Sequence, residues 1–161
     1  MRYPVAAVLT VLAVSLVAPA VAFAQIDEVR IVVNGLTCNL CAAGLERSLK
    51  KLDVVSSVRV TLDDETAVVT VKKGARFDAD RLRAAVTHAG QEIRLVELRV
   101  RGAVREQGGA YSVETSPGTR LPFAPGSTGK LQAYAGRTVR LRARVSSPVR
   151  SPLELDLISI E

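Results

Sequence analysis

The chain has 161 residues, with 22 Lys+Arg against 16 Asp+Glu, a net charge of +6, one His and two Cys. Hydrophobic residues at 48% and charged residues at 24% exclude a disordered or collagen-like chain, and the length fits one domain or two small ones. Two cysteines exclude a disulfide-dense scaffold and a closed four-cysteine zinc site, while a single histidine, His88, excludes a His-rich metal centre and makes a Ser-His-Asp triad a poor reading.

Residues 1–24 read as a signal peptide. Arg2 supplies a positive start, Val5 to Val17 is apolar except for Thr10 and Ser15, and Ala22-Phe23-Ala24 fits the small-x-small cleavage rule. The competing reading is an uncleaved anchor, because the apolar stretch approaches the roughly 20 residues of a spanning helix. Pro19 favours cleavage, which makes Gln25 the first mature residue and leaves no stable membrane insertion. The expected location is the periplasm or the outside of a cell, both oxidising. Residues 25–100 carry 12 basic and 11 acidic side chains, and residues 101–161 carry nine and five, so the positive excess lies in the second part.

Glu28 to Asn34 alternates, with Val29, Ile31 and Val33 on one face, and predicts a strand. After Gly35-Leu36-Thr37, the apolar stripe Cys41, Leu45, Leu49 and Leu52 predicts a helix over 39–52, capped by Thr37 or Asn39. Val54 to Leu62 and Thr66 to Lys72 alternate as two more strands around the polar turn Asp63-Asp64-Glu65. A second helix, N-capped by Asp78 and followed by Gly90, has the stripe Leu82, Ala85, Val86 and Ala89. Ile93 to Val100 is a fourth strand. The order β-α-β-β-α-β is the ferredoxin-like arrangement.

The remainder differs. Leu98 to Arg105, Ala110 to Glu114, Thr138 to Val145 and Leu153 to Ile160 read as strands, and no helix pattern appears. Ser116 to Gly129, with three Pro and three Gly, reads as a long loop. The expected class is therefore α+β: a signal peptide over 1–24, a ferredoxin-like βαββαβ unit over 25–97, and a small all-β barrel over 98–161. The barrel's first strand can be a continuation of the fourth strand. Thr138 to Val145 sets Arg140, Arg142 and Arg144 on one face, with Arg137 just before them. The row reads first as a solvated strand face. Its stronger alternative is a dock for an acidic partner, and nucleic acid is not expected because no aromatics interleave the arginines.

Cys38 and Cys41 form a C-x-x-C at the strand-to-helix turn, where both sulfurs can reach one ion. Free N–H groups and the positive dipole end of the helix stabilise thiolates there. Thiolates select soft ions, and two sulfurs suit Cu(I) or Hg(II) better than Zn(II), which takes four tetrahedral ligands. By spacing alone, the pair also reads as a redox couple, half a zinc site or an inert disulfide. His88, near the end of the second helix, reads as a surface residue, and the consecutive carboxylates Asp63, Asp64 and Glu65 read as solvated.

The segment Ile31-Val-Val-Asn-Gly-Leu-Thr-Cys-Asn-Leu-Cys41, with Leu45, Leu49, Val58 to Leu62, Ala67 to Val69 and Ala89-Gly90, resembles the heavy-metal-associated domain. The resemblance spans about Asp27 to Val100. It implies a ferredoxin-like fold, soft-metal binding by Cys38 and Cys41, and transfer of the ion to a partner by stepwise thiolate exchange. Gly35 and Thr37 would shape the loop, and Leu36 would pack beneath it, where the family usually has Met. Gln91 stands where the family tends to place Tyr, Phe or Lys. The segment from Gly136 onward resembles an OB-fold, without a diagnostic motif. The expected protein is an exported, non-enzymatic carrier of Cu(I), with Hg(II) and Zn(II) as alternatives. Its partner would be a metal donor or acceptor such as a metal transporter, and the oligomeric state is left open. The alternatives are a periplasmic thiol-disulfide protein using the same pair, and an adaptor in which the β unit is the working surface.

Overall fold

In the computed structural model, residues 24–116, 119–146, 149 and 153–161 are described. The signal-peptide reading of 1–24 falls, apart from Ala24, outside the described residues. The chain runs β1 (Gln25–Asn34), α1 (Asn39–Lys50), β2 (Val55–Thr61), β3 (Thr66–Val71), α2 (Ala79–His88), β4 (Glu92–Gln107), β5 (Ala110–Ser116), β6 (Thr119–Pro122), the short α3 (Thr128–Leu131) between two 3-10 turns, β7 (Thr138–Val145) and β8 (Leu155–Ile160).

The first six elements form the ferredoxin-like unit, with strand order β2-β3-β1-β4 and every neighbour antiparallel. Alternation in β1 buries Val29, Ile31 and Val33 completely against Val96 and Leu98 of β4 and the stripes of the helices, Leu45 and Leu49 from α1 and Leu82 and Val86 from α2. The Ser48 hydroxyl donates to the Ala85 carbonyl at 2.7 Å and ties α1 to α2. Asp78 caps α2 as expected, accepting from the Asp80 and Arg81 amides at 2.9 and 3.1 Å. Asp78→Ala leaves those donors without their acceptor and should lower stability by about 1 kcal/mol, read as a fall in urea midpoint at unchanged slope.

The second antiparallel region grows from the same sheet. β4 is 16 residues long, and position 98, where the sequence reading divides the chain, lies inside it. β1 pairs with one edge of β4 from Glu92 to Arg101, and β5 pairs with it from Ala103 to Gln107. β7 pairs with the other edge, from Glu97 to Ala103. Gly102 stands at the handover from β1 to β5. A Cβ there would lie 2.5 Å from the Glu114 carbonyl oxygen and 2.6 Å from Val113 Cγ2, so the crossing requires glycine.

One expectation is corrected in this region. The stretch 116–129 is not one long loop: β6 pairs with β5, and 3-10 turns and α3 carry the chain from Pro125 to Tyr134. The signal was present but short, since Leu121 and Phe123 alternate inward over four residues and a four-residue helix has no periodicity to read. β6 runs into Phe123, which makes a parallel bridge to Leu155 of β8. Ser127, buried, accepts the Leu157 amide at 2.9 Å. The strands β4, β5, β6, β8 and β7 thereby enclose Val104, Val113, Leu131, Leu141 and Leu155, all fully buried. Both regions share one hydrophobic core through β4. No helix among the described residues is long and apolar enough to cross a membrane.

Candidate metal centre

The loop between β1 and α1 carries both cysteines. β1 ends at Asn34, paired with Glu92 of β4, and the chain turns at Gly35 with φ of 85°. Glycine alone holds that conformation without strain. Leu36 then folds inward and is 2% exposed, while Thr37, Cys38, Asn39 and Leu40 face outward. Leu40 is 75% exposed, one of two large hydrophobic residues so placed among the described residues.

The cap of α1 is neither Thr37 nor Asn39. Cys38 is the N-cap, in extended conformation, and its Sγ accepts the Cys41 amide at 3.1 Å. Sulfur takes the place of the usual hydroxyl or carboxyl oxygen because the C-x-x-C spacing puts Cys38 three residues before that amide. The second sulfur sits in the first turn of α1, half-buried against the core. The two are joined as a disulfide, with Cα atoms 5.2 Å apart. The thiolate pair expected from the sequence is therefore the reduced form of what the structure holds. Among the described residues no cluster of three or more His, Cys, Asp or Glu side chains is arranged to hold an ion.

Gln91 follows α2 and lies under the loop, 9% exposed. Its Oε1 would stand 3.8 Å from a Cβ on Gly35 and has no hydrogen-bond partner within the described residues. His88 is exposed in the last turn of α2. Glu65 is the residue the sequence reading missed. Asp63 and Asp64 are exposed, as their turn implies, but the Glu65 carboxylate reaches the loop and accepts the Leu36 amide at 3.2 Å. The signal was weak, because a third acid in an acidic turn looks solvated until the pairing of β1 with β3 brings that turn under the loop.

The arginine row of β7 faces its own sheet's acids. Arg142 and Arg144 converge on Glu97 of β4 at 3.3 and 3.6 Å, with the Glu97 side chain 15% exposed. On the same face Arg99 approaches Glu28 at 3.6 Å and Arg101 approaches Asp27 at 3.6 Å. Register explains this: Glu97 lies opposite Arg144, Arg99 opposite Arg142 and Arg101 opposite Arg140. Arg140 has no carboxylate partner among the described residues.

The family model for the heavy-metal-associated domain matches residues 30–92. The mercuric transport protein periplasmic component of Pseudomonas fluorescens is 34% identical over 68 residues, 42% of this chain and 74% of that protein. The chain belongs to the heavy-metal-associated domain family. Similar solved structures include oxidized MerP from Ralstonia metallidurans CH34, at 30% identity over 42% of this chain and 94% of that one, with a TM-score of 0.37. The N-terminal domain of PacS from Synechocystis PCC6803 is also 30% identical, over 42% of this chain and 92% of that one, with a TM-score of 0.36. The heavy-metal-associated match contains both cysteines, Gly35, Leu36, Thr37, Glu65 and Gln91, and ends as β4 begins.

Proposed function

We propose that the chain is an exported, non-enzymatic carrier that holds a soft metal ion between the thiolates of Cys38 and Cys41 and passes it to a partner. The observation that carries this reading is the placement of the pair: one sulfur exposed at the helix N-cap, the other in the first turn, on a loop braced from beneath by Leu36 and Gln91. The ion is cargo. Exchange with an external dithiol, which leaves as its own disulfide, reduces Cys38–Cys41 to two thiols, and loading releases the thiol protons. Two sulfurs leave coordination positions open, so an incoming thiolate can add before either original one leaves. That suits Cu(I) or Hg(II), and the mercuric transport relative supports Hg(II) and a periplasmic location. Zn(II) is the weaker alternative, since it needs further ligands from a partner or a second copy.

In this reading residues 1–24 are a cleaved signal, 25–97 carry the metal, and 98–161 form an OB-like barrel. The barrel is supported by the bridge from Phe123 to Leu155 that links β6 to β8. The partner is a metal donor or acceptor such as a transporter, met at the cysteine loop, and the carboxylates that oppose the arginine row argue against nucleic acid there.

The test is a competition titration of the fully reduced mature chain with Cu(I), then Hg(II), against a chelator of known affinity. The expected result is one ion per chain, with binding lost in the Cys38→Ser/Cys41→Ser variant. Absence of binding by the reduced chain overturns the reading in favour of a thiol-disulfide protein or an adaptor.

A further inference from the structure

We propose that Glu65 is a positioning residue for the cysteine loop, setting how closely the two sulfurs are held; the inference rests on the metal-carrier reading of that site and deepens it. Glu65 lies at the end of the turn between β2 and β3, well away from the cysteines in sequence. It is the only non-glycine among the described residues with positive φ, at 47°. That conformation disfavours a residue with a side chain, and such outliers persist where surrounding contacts hold them. Here the contacts act on both sides of the loop. The Glu65 carbonyl accepts the Val33 amide at 3.0 Å, just before the loop begins. Its Oε1 accepts the Leu36 amide at 3.2 Å, two residues before Cys38. Arg94 on β4 holds Nη1 4.0 Å from Oε2, placing a cation behind the carboxylate.

One residue thus grips the chain at Val33 and Leu36, spanning the Gly35 turn between them. Gly35 has no side chain to restrict it, so without an external grip the segment leading to Cys38 could swing away from Cys41. The carboxylate bond to Leu36 removes that freedom. Closeness of the two sulfurs governs two equilibria alike: closure of the disulfide and chelation of one ion by both thiolates. Loosening the grip should weaken both.

The test compares Glu65→Ala, Glu65→Gly and Glu65→Gln with the parent chain. The disulfide is equilibrated with glutathione, in which two thiols of glutathione reduce Cys38–Cys41 to the dithiol and leave as glutathione disulfide. Glu65→Ala and Glu65→Gly should each lower the stability of the disulfide three- to tenfold, a shift of about 14–30 mV to less negative potential at 29.6 mV per decade. Metal competition should weaken by a similar factor. Glu65→Gly suits the positive φ, so its melting temperature should not fall, which separates loop positioning from fold stability. Glu65→Gln keeps an acceptor for the Leu36 amide without the charge and should stay within twofold of the parent. The proposal is overturned if alanine and glycine leave the potential unmoved, or if glutamine shifts it as far as alanine does. The potential needs no metal, so a reduced parent chain that binds no ion would defeat the carrier reading while this comparison still decides Glu65.

Discussion

Gly102→Val is expected to destabilise the fold by at least about 3 kcal/mol, with loss of a single well-packed state. The reason is local and severe. The added Cβ would lie 2.5 Å from a backbone carbonyl oxygen of β5, and a carbonyl within a ladder cannot swing aside as a flexible side chain can. Relief requires β5 to part from β4, which would open the core at Val113 and Val104, both fully buried. Valine would be unremarkable at an ordinary strand position, so the sequence context alone would not forecast the damage. Denaturant unfolding of the parent, Gly102→Ala and Gly102→Val measures it. Alanine should already cost stability, valine more, and a valine variant within about 1 kcal/mol of the parent would contradict the packing described at the crossing.

Cys38→Ser and Cys38→Ala should separate two roles of one residue. On the proposed carrier reading either change removes one of the two thiolates that hold the ion, so affinity for a soft ion should fall by at least about a hundredfold, the scale of the roughly 3 kcal/mol or more expected for losing one of two thiolate bonds. Their effects on α1 should differ. Serine can accept the Cys41 amide that Cys38 Sγ accepts at 3.1 Å, and serine is a strong N-cap. Alanine cannot, and should cost about 1 kcal/mol beyond the serine variant, measured under reducing conditions so that the disulfide does not enter the comparison. If serine and alanine proved equal in stability, the capping role would be refuted; if serine kept the parent's affinity, the ligand role would be.

The ferredoxin-like half was legible because its signals are long. β1 sets Val29, Ile31 and Val33 on one buried face, and the helical stripes bury Leu45 and Leu49 of α1 and Leu82, Ala85 and Val86 of α2. Asp78 was legible as a cap because it precedes its helix with no competitor nearby. The cap of α1 was not, since cysteine is seldom weighed as a capping acceptor and Thr37 and Asn39 flank it. In the second half, β7 was legible from strict alternation over eight residues. β6 was not, because the four residues Thr119–Pro122, just after a proline-glycine pair, give no period to count. The alternation of β7 places the arginine row on one face, but its opposition to Glu97 depends on strand register, which pairing alone determines. Glu65 was hidden for the same reason: its contact with Leu36 joins positions 29 residues apart.

The shared strand β4 also sets an order of events as the chain is made. Leu98 and Val100 reach their places beside β1 when residue 101 is available, yet the strand that pairs with their free edge, β7, is not synthesised until about forty residues later. During that interval the first unit would present an unpaired edge from Glu97 to Ala103, a template for wrong pairing with another chain. Three features of this edge oppose that outcome. Arg99 and Arg101 put charge on it, Glu97 interrupts its apolar character, and Gly102 is a poor strand former. The arginines and acids that later pair across the finished sheet can thus also keep its half-built form apart from its neighbours.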